Sequence, residues 1–144
     1  MKRLLWALLI SLNINAATYV SLKSSEVNLR VGPGKEYPVS WVLLRSGLPV
    51  MLVTEFDQWR KIQLLDGTEG WVHKSMLSAK NNAIVSSEYA ILYKSASSAH
   101  PVAKLENGVI VRCLKIDGDW VKVEVNKIRG WLRCRNLWGV NESH

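Results

Sequence analysis

Cysteine and histidine are scarce in this chain. Two cysteines (Cys113, Cys134) and three histidines (His73, His100, His144) are spread over 144 residues. A metal centre needs several such ligands at suitable spacing, so no metal is expected. Nucleophilic catalysis needs a base within reach of the nucleophile and a third group to orient that base. The histidines fall in a loop, at a strand end and at the C-terminus without a recurrent acidic partner, and the acids stand singly at turns. No catalytic residue is assigned, and neither enzyme activity nor a cofactor is expected. Long apolar runs are also few. Leu4–Leu12 is one, broken only by Ser11, and it falls short of the ~20 residues of a membrane-spanning helix. No stretch after residue 17 sustains a 3.6-residue period.

The front end reads as a targeting segment. Lys2 and Arg3 precede that apolar run, and the small residues Ala16 and Ala17 follow it. This is the pattern of a cleaved secretory signal peptide over residues 1–17. The expected mature chain is periplasmic or secreted, with no transmembrane segment after cleavage. Losing Lys2 and Arg3 lowers the formal charge from +7 to +5. Outside the cytoplasm such a surface favours anionic polymers or membrane surfaces. Nucleic acid is not an expected partner for an exported chain.

What the chain does contain is a repeat. The series Gly47, Val50, Leu52, Asp57, Trp59, Ile62, Gly70, Trp71, Leu77 recurs as Gly108, Val111, Cys113, Asp119, Trp120, Val123, Gly130, Trp131, Leu137. Repetition at this period marks two copies of one structural unit, placed at residues 18–80 and 81–144. Units of this size, 63 and 64 residues, bury only ~60% of their unfolded surface and are marginal alone. The two are therefore expected to lean on each other across a short joint, Ser78-Ala79-Lys80-Asn81-Asn82.

Alternation of period two makes the units all-β. Val121, Val123 and Val125 alternate with Lys122 and Glu124; Ile62 and Leu64 take the same inward parity in the first copy, and Trp59 and Trp120 the outward one. Cross-strand partners share a face, so Ile62 is expected opposite Val72, and Val123 opposite Leu132. That register leaves Asp66-Gly67-Thr68 as one hairpin loop and Lys127-Ile128 as the other turn. Short strands with turn signals every 8–12 residues indicate a small barrel or sandwich.

At this level the residues resemble a known family. Asn28-Leu29-Arg30-Val31-Gly32-Pro33-Gly34, then Tyr37-Pro38-Val39, Gly47, Trp59 and Gly70-Trp71-Val72 resemble the bacterial SH3-like (SH3b) domain. The match spans about residues 26–78, with a fainter copy over about 88–140. The resemblance implies two tandem, partly open five-stranded barrels. It also implies a groove between the first long loop and the acidic corner before Trp59, binding cell-wall peptides or other proteins. By motif position Tyr37, Trp59 and Trp71 would line the first groove. Trp120 and Trp131 are their equivalents in the second unit, with His100 where the first has Tyr37. The second unit departs from the pattern, with Tyr93 in the place of Arg30 and Ser95-Ala96-Ser97 in place of the Gly-Pro-Gly loop.

The expected function is non-catalytic recognition of a peptidoglycan stem peptide or another extended peptide. Trp59 and Tyr37 would supply apolar contact, and Glu55 and Asp57 would meet a ligand amine. Trp41, unrepeated in the second copy, is a candidate partner contact. An alternative is an adaptor for an envelope protein, using Trp41 and the surface between the repeats. Another is electrostatic binding of an anionic envelope polymer through Lys127, Arg129, Arg133 and Arg135, which bracket Trp131. Asn28 and Arg30 are expected to serve structure, by satisfying loop backbone groups. Two readings of Cys113 and Cys134 stand side by side: a disulfide, which an exported chain can keep, or small buried hydrophobes.

Overall fold

The structure is a computed structural model and describes residues 16–142; the expected leader lies outside the described residues except for its last two positions. Seven strands form the first unit: β1 (Tyr19–Leu22), β2 (Val27–Arg30), β3 (Val39–Leu43), β4 (Pro49–Phe56), β5 (Trp59–Gln63), β6 (Glu69–His73) and β7 (Leu77–Ser78). Seven form the second: β8 (Asn82–Val85), β9 (Tyr89–Tyr93), β10 (Pro101–Glu106), β11 (Ile110–Asp117), β12 (Trp120–Val125), β13 (Ile128–Arg133) and β14 (Leu137–Trp138). A 3-10 turn precedes the last strand in each unit, at Lys74–Met76 and Cys134–Asn136. The sheet orders are β3-β2-β6-β5-β4-β1-β7 and β10-β9-β13-β12-β11-β8-β14, so the second unit repeats the first strand for strand. The resemblance implied five strands in each unit, and β2–β6 and β9–β13 supply five apiece. Flanking strands β1, β7, β8 and β14 raise each sheet among the described residues to seven.

Each sheet curls over its own core, because a lone sheet with one apolar face must close upon itself to bury it. The first core holds Leu22, Val27, Leu29, Val50, Ile62 and Val72. The second includes Val85, Leu92, Val111, Val121, Val123 and Leu132. The long strands β4 and β11 serve two neighbours each, pairing with β1 or β8 through their first half and with β5 or β12 through the rest. A bulge at Val53, and its equivalent at Leu114, bends each strand between these roles and turns an apolar side chain out to solvent.

The β5–β6 and β12–β13 hairpins keep the expected faces but shift by two residues. Gly70 lies opposite Ile62, and Gly130 opposite Val123, while Val72 faces Arg60 and Leu132 faces Val121. The reason lies in a third strand. Leu29 of β2 and Leu92 of β9 cross over these glycines so closely that a Cβ there would collide with them, and only the glycine register lets both leucines into the core. The second turn is therefore Asn126-Lys127 rather than Lys127-Ile128, with φ of 48° and 64°. Both central residues of such a tight turn need positive φ. In the first hairpin Leu64 N–H bonds Thr68 O and Gly67 takes φ 90°, leaving Leu65-Asp66-Gly67 as the loop.

The two units share a polar seam. Asn141 Nδ2 donates to Tyr19 O (2.9 Å) and its Oδ1 accepts from Tyr19 N–H (2.8 Å). Asn82 Nδ2 donates to Gly47 O (2.9 Å), while within the first unit the buried Ser21 Oγ donates to Lys80 O of the joint (2.7 Å). Asn81 ties the C-terminal segment to this seam through Gly139 O (2.7 Å) and the Asn141 amide (3.2 Å). Tyr19 meets Trp138 edge-on at 5.0 Å, and Gly139, at φ 105°, lies against Pro49. The expected polar joint is thus partly a contact surface, its asparagines satisfying backbone groups that would otherwise face another domain unpaired.

Candidate functional site

Strand register assigns the aromatic side chains to faces. In the first unit Val39, Arg30, Trp71 and Lys61 form one cross-strand row, and Phe56, Trp59 and His73 form the next row on the same face. Trp59 and Trp71 are half-buried, with part of each ring available to solvent. Trp59 stands edge-on to His73 at 5.4 Å. His73 Nδ1 accepts the Ser75 amide (3.2 Å) and lies 2.7 Å from Ser75 Oγ. The bond from the Ser75 amide makes this contact a cap on the 3-10 turn.

Tyr37 borders this face from the β2–β3 loop at 40% exposure. Arg30 fixes that loop by donating from Nη1 to Tyr37 O (2.9 Å) and Lys35 O (3.2 Å), so its guanidinium serves the backbone. Gly32 is buried beneath the Tyr37 ring, where a Cβ has no room. The acidic corner is less free than expected. Glu55 pairs with Arg60 at 3.0 Å, and Asp57 holds the β4–β5 turn at φ 51° with its carbonyl taken by Arg60 (2.9 Å). Its carboxylate is exposed and touches Gln58 alone, at 3.4 Å.

Trp41 is not brought to this surface. It pairs with Leu29, a core residue, so it belongs to the opposite face of the sheet. On the edge strand β3 its side chain is 62% exposed.

The second unit rebuilds the aromatic face with different charge. Tyr93, Trp131 and Lys122 form one row, and Asp117, Trp120 and Arg133 the next. Trp120 meets Tyr93 edge-on at 5.7 Å, and the Arg133 guanidinium lies over the Trp120 ring at 4.0 Å. Arg133 Nη2 donates to Ser98 Oγ in the β9–β10 loop (3.3 Å). His100 is exposed in that loop, its carbonyl accepting from Lys94 N–H. A cavity of about 260 Å³ opens beside Arg133, lined also by Asp119, Cys134 and Arg135. The basic residues suggested for polymer binding divide: Lys127 and Arg129 stand at one end of the β12–β13 hairpin, with Arg129 on Glu124 (3.1 Å), and Arg133 and Arg135 at the other. His73 was not singled out from sequence, and Arg133 only as one of the basic residues bracketing Trp131, not as the partner of Trp120. Their signal is position: each follows the second Trp of its repeat by two residues and so shares its face.

Cys113 and Cys134 carry free thiols and are both partly buried against the second core. Burial, and then the neighbouring Cys134, push the Cys113 thiol up to about 12. Burial raises Cys134 as well, followed by the charge of Asp119. Another cavity, of about 560 Å³, follows the seam between the units, lined by Tyr19, Ile116, Cys134, Trp138, Val140 and Glu142 among others. Among the described residues no three His, Cys, Asp or Glu side chains are grouped to hold a metal, and no helix is long and apolar enough to cross a membrane.

Two small curled β units, each with tryptophans from two hairpin strands on its outer face, are modules of SH3-like build. The chain belongs to the bacterial SH3 domain family, whose model matches residues 23–79 and 86–139. It is similar to a Bacillus subtilis (strain 168) protein described as "Putative N-acetylmuramoyl-L-alanine amidase YrvJ", with 23% identity over 123 residues. That similarity covers 77% of this chain and 24% of the relative, so the chain spans about a quarter of that protein's length. Among solved structures it is similar to an NlpC/P60 family protein from Bacillus cereus ATCC 10987 (16% identity, 86% of this chain and 57% of that one, TM-score 0.38). It is also similar to NlpC1 from Trichomonas vaginalis (13% identity, 88% and 47%, TM-score 0.41).

Proposed function

We propose that this is an exported, non-catalytic binding protein of the cell envelope, built of units at 18–80 and 81–144, whose first unit recognises an extended peptide of the wall. The observation that carries this reading is the outer face of that unit. Trp59 and Trp71 lie there half-buried in adjacent rows, with Tyr37 bordering them on a loop pinned by Arg30. A shallow aromatic floor suits a flat, extended ligand, since a Trp offers much apolar area at small entropic cost. Asp57, whose exposed carboxylate meets only Gln58 (3.4 Å), would bind a ligand amine. The family match and the amidase relative support a wall ligand, and a periplasmic or secreted location follows from it.

The test is sedimentation with purified peptidoglycan. Trp59→Ala is expected to lower affinity by about 2 kcal/mol, roughly 30-fold, if Trp59 is a binding hot spot. The circular dichroism spectrum should stay that of the parent protein, because the ring lies outside the core. Parental affinity in the variant would remove this reading.

Trp41, exposed on the edge strand β3, favours a second reading, an adaptor docking one envelope protein through Trp41 and the surface between the repeats. A stoichiometric protein captured from membrane extracts, and lost with Trp41→Ser, would favour it over wall binding.

A further inference from the structure

We infer that the second unit is a receptor for a single carboxylate, such as the free C-terminus of a peptide, held by Arg133 against Trp120. This rests on reading the units as peptide-binding modules, but assigns the second a ligand group opposite in charge to the amine expected at the first. The two units have exchanged an arginine for an aromatic. Arg30 of the first unit corresponds to Tyr93 of the second, each paired with the second Trp of its repeat. His73 corresponds to Arg133, each paired with the first. In the first unit the cation is used up on loop carbonyls and the histidine on a turn cap. In the second, the guanidinium stands on the recognition face itself.

Its surroundings prepare it for a planar anion. One face stacks on Trp120 at 4.0 Å, Trp120 is steadied edge-on by Tyr93, and one Nη2–H is directed to Ser98 Oγ. Among the described residues no carboxylate lies within ion-pair distance of Arg133, so its charge is not already neutralised by an acidic partner. An oriented guanidinium with free donors, stacked on an indole, matches the two oxygens of a carboxylate. Arg135 lines the same cavity and adds charge, while Asp119 lines it too and Asp117 stands across from Trp120. Those two acids offset the diffuse positive charge that a polyanion needs, which leaves the oriented two-donor contact with Arg133 to select a single carboxylate.

The experiment uses acetyl-Ala-Ala with a free carboxylate, its C-terminal amide, and linear polyphosphate as probes, followed by the indole and guanidinium NMR signals of the whole protein. The acid should move the Trp120 indole N–H and Arg133 Nε–H signals. The amide should bind about tenfold more weakly or worse, the scale of one lost charge-assisted contact. Arg133→His, which installs the first unit's residue, should lose at least as much, and Arg133→Lys should fall between, both with parental circular dichroism. Equal binding of acid and amide, unchanged binding by Arg133→His, or no shift by about 10 mM probe would each overturn the inference. So would polyphosphate binding more tightly than the dipeptide with a steep salt dependence, which would assign the face to an anionic polymer. Wall sedimentation of Trp59→Ala reads the first unit, so either proposal can fail without the other.

Discussion

Gly139 offers the sharpest test of whether the two units form one body. It sits at φ 105°, and a Cβ there would lie 2.9 Å from Pro49 Cβ and 3.1 Å from the Asn82 carbonyl oxygen. Pro49 begins a core strand of the first unit and Asn82 holds the seam, so neither neighbour can yield cheaply. Gly108 is the internal control: it has φ 86° but nothing within 4 Å of its would-be Cβ. Gly108→Ala should therefore lose only the backbone cost of a left-handed residue, about 1–2 kcal/mol. Gly139→Ala should lose that plus the clash, an overpacking cost of about 1–3 kcal/mol. For about 127 residues, 1 kcal/mol corresponds to roughly 4 °C in Tm. Calorimetry should show Gly108→Ala melting in one transition a few degrees lower. Gly139→Ala should melt lower still, with the two units separating into distinct transitions as the seam opens. Pro49→Ala should recover part of the difference in a double-mutant cycle. Equal losses from Gly139→Ala and Gly108→Ala would show that the seam does not couple the units.

Two further outcomes are expected. Lys127 occupies φ 64° in the tight β12–β13 turn, a conformation that suits glycine, so Lys127→Gly should raise stability by up to about 1 kcal/mol in urea unfolding; a loss would mean the turn differs from the one described. Cys113 should make folding sensitive to alkali. Its folded pKa, pushed up to about 12, lies above the unfolded value near 9, so its contribution is complete below about pH 9 and fades as pH rises toward 12. By pH 10.5 the parent should have lost about 2 kcal/mol more than Cys113→Val, and parallel pH–stability curves would refute the burial of that thiol.

Much of the architecture was legible in the residues because it depends on periods. Alternation placed Ile62, Val72, Val121, Val123 and Leu132 inside, and every one of them is buried. The repeat foretold two units of matching strand order. Register was less legible. Moving a hairpin by two residues keeps every side chain on its face, so a sequence pattern cannot distinguish the two alignments. Leu29 and Leu92 decide it, by crossing Gly70 and Gly130 from a strand some forty residues earlier.

The aromatic site shows the same division. Spacing put Trp59, Trp71, Trp120 and Trp131 on the outer face, because strand parity is local. Trp41 could not be assigned that way, since its face follows from its partner Leu29 across a bulged edge. Nor could local pattern show that Glu55 is bound to Arg60, or that Arg133 covers Trp120. The amino-acid order by itself thus determined that there are two β units, which residues fill them and which rings point away. Tertiary structure decided the strand alignment, the asparagine seam and the charge each tryptophan faces, because those depend on groups brought together by folding over distances that periodicity does not encode.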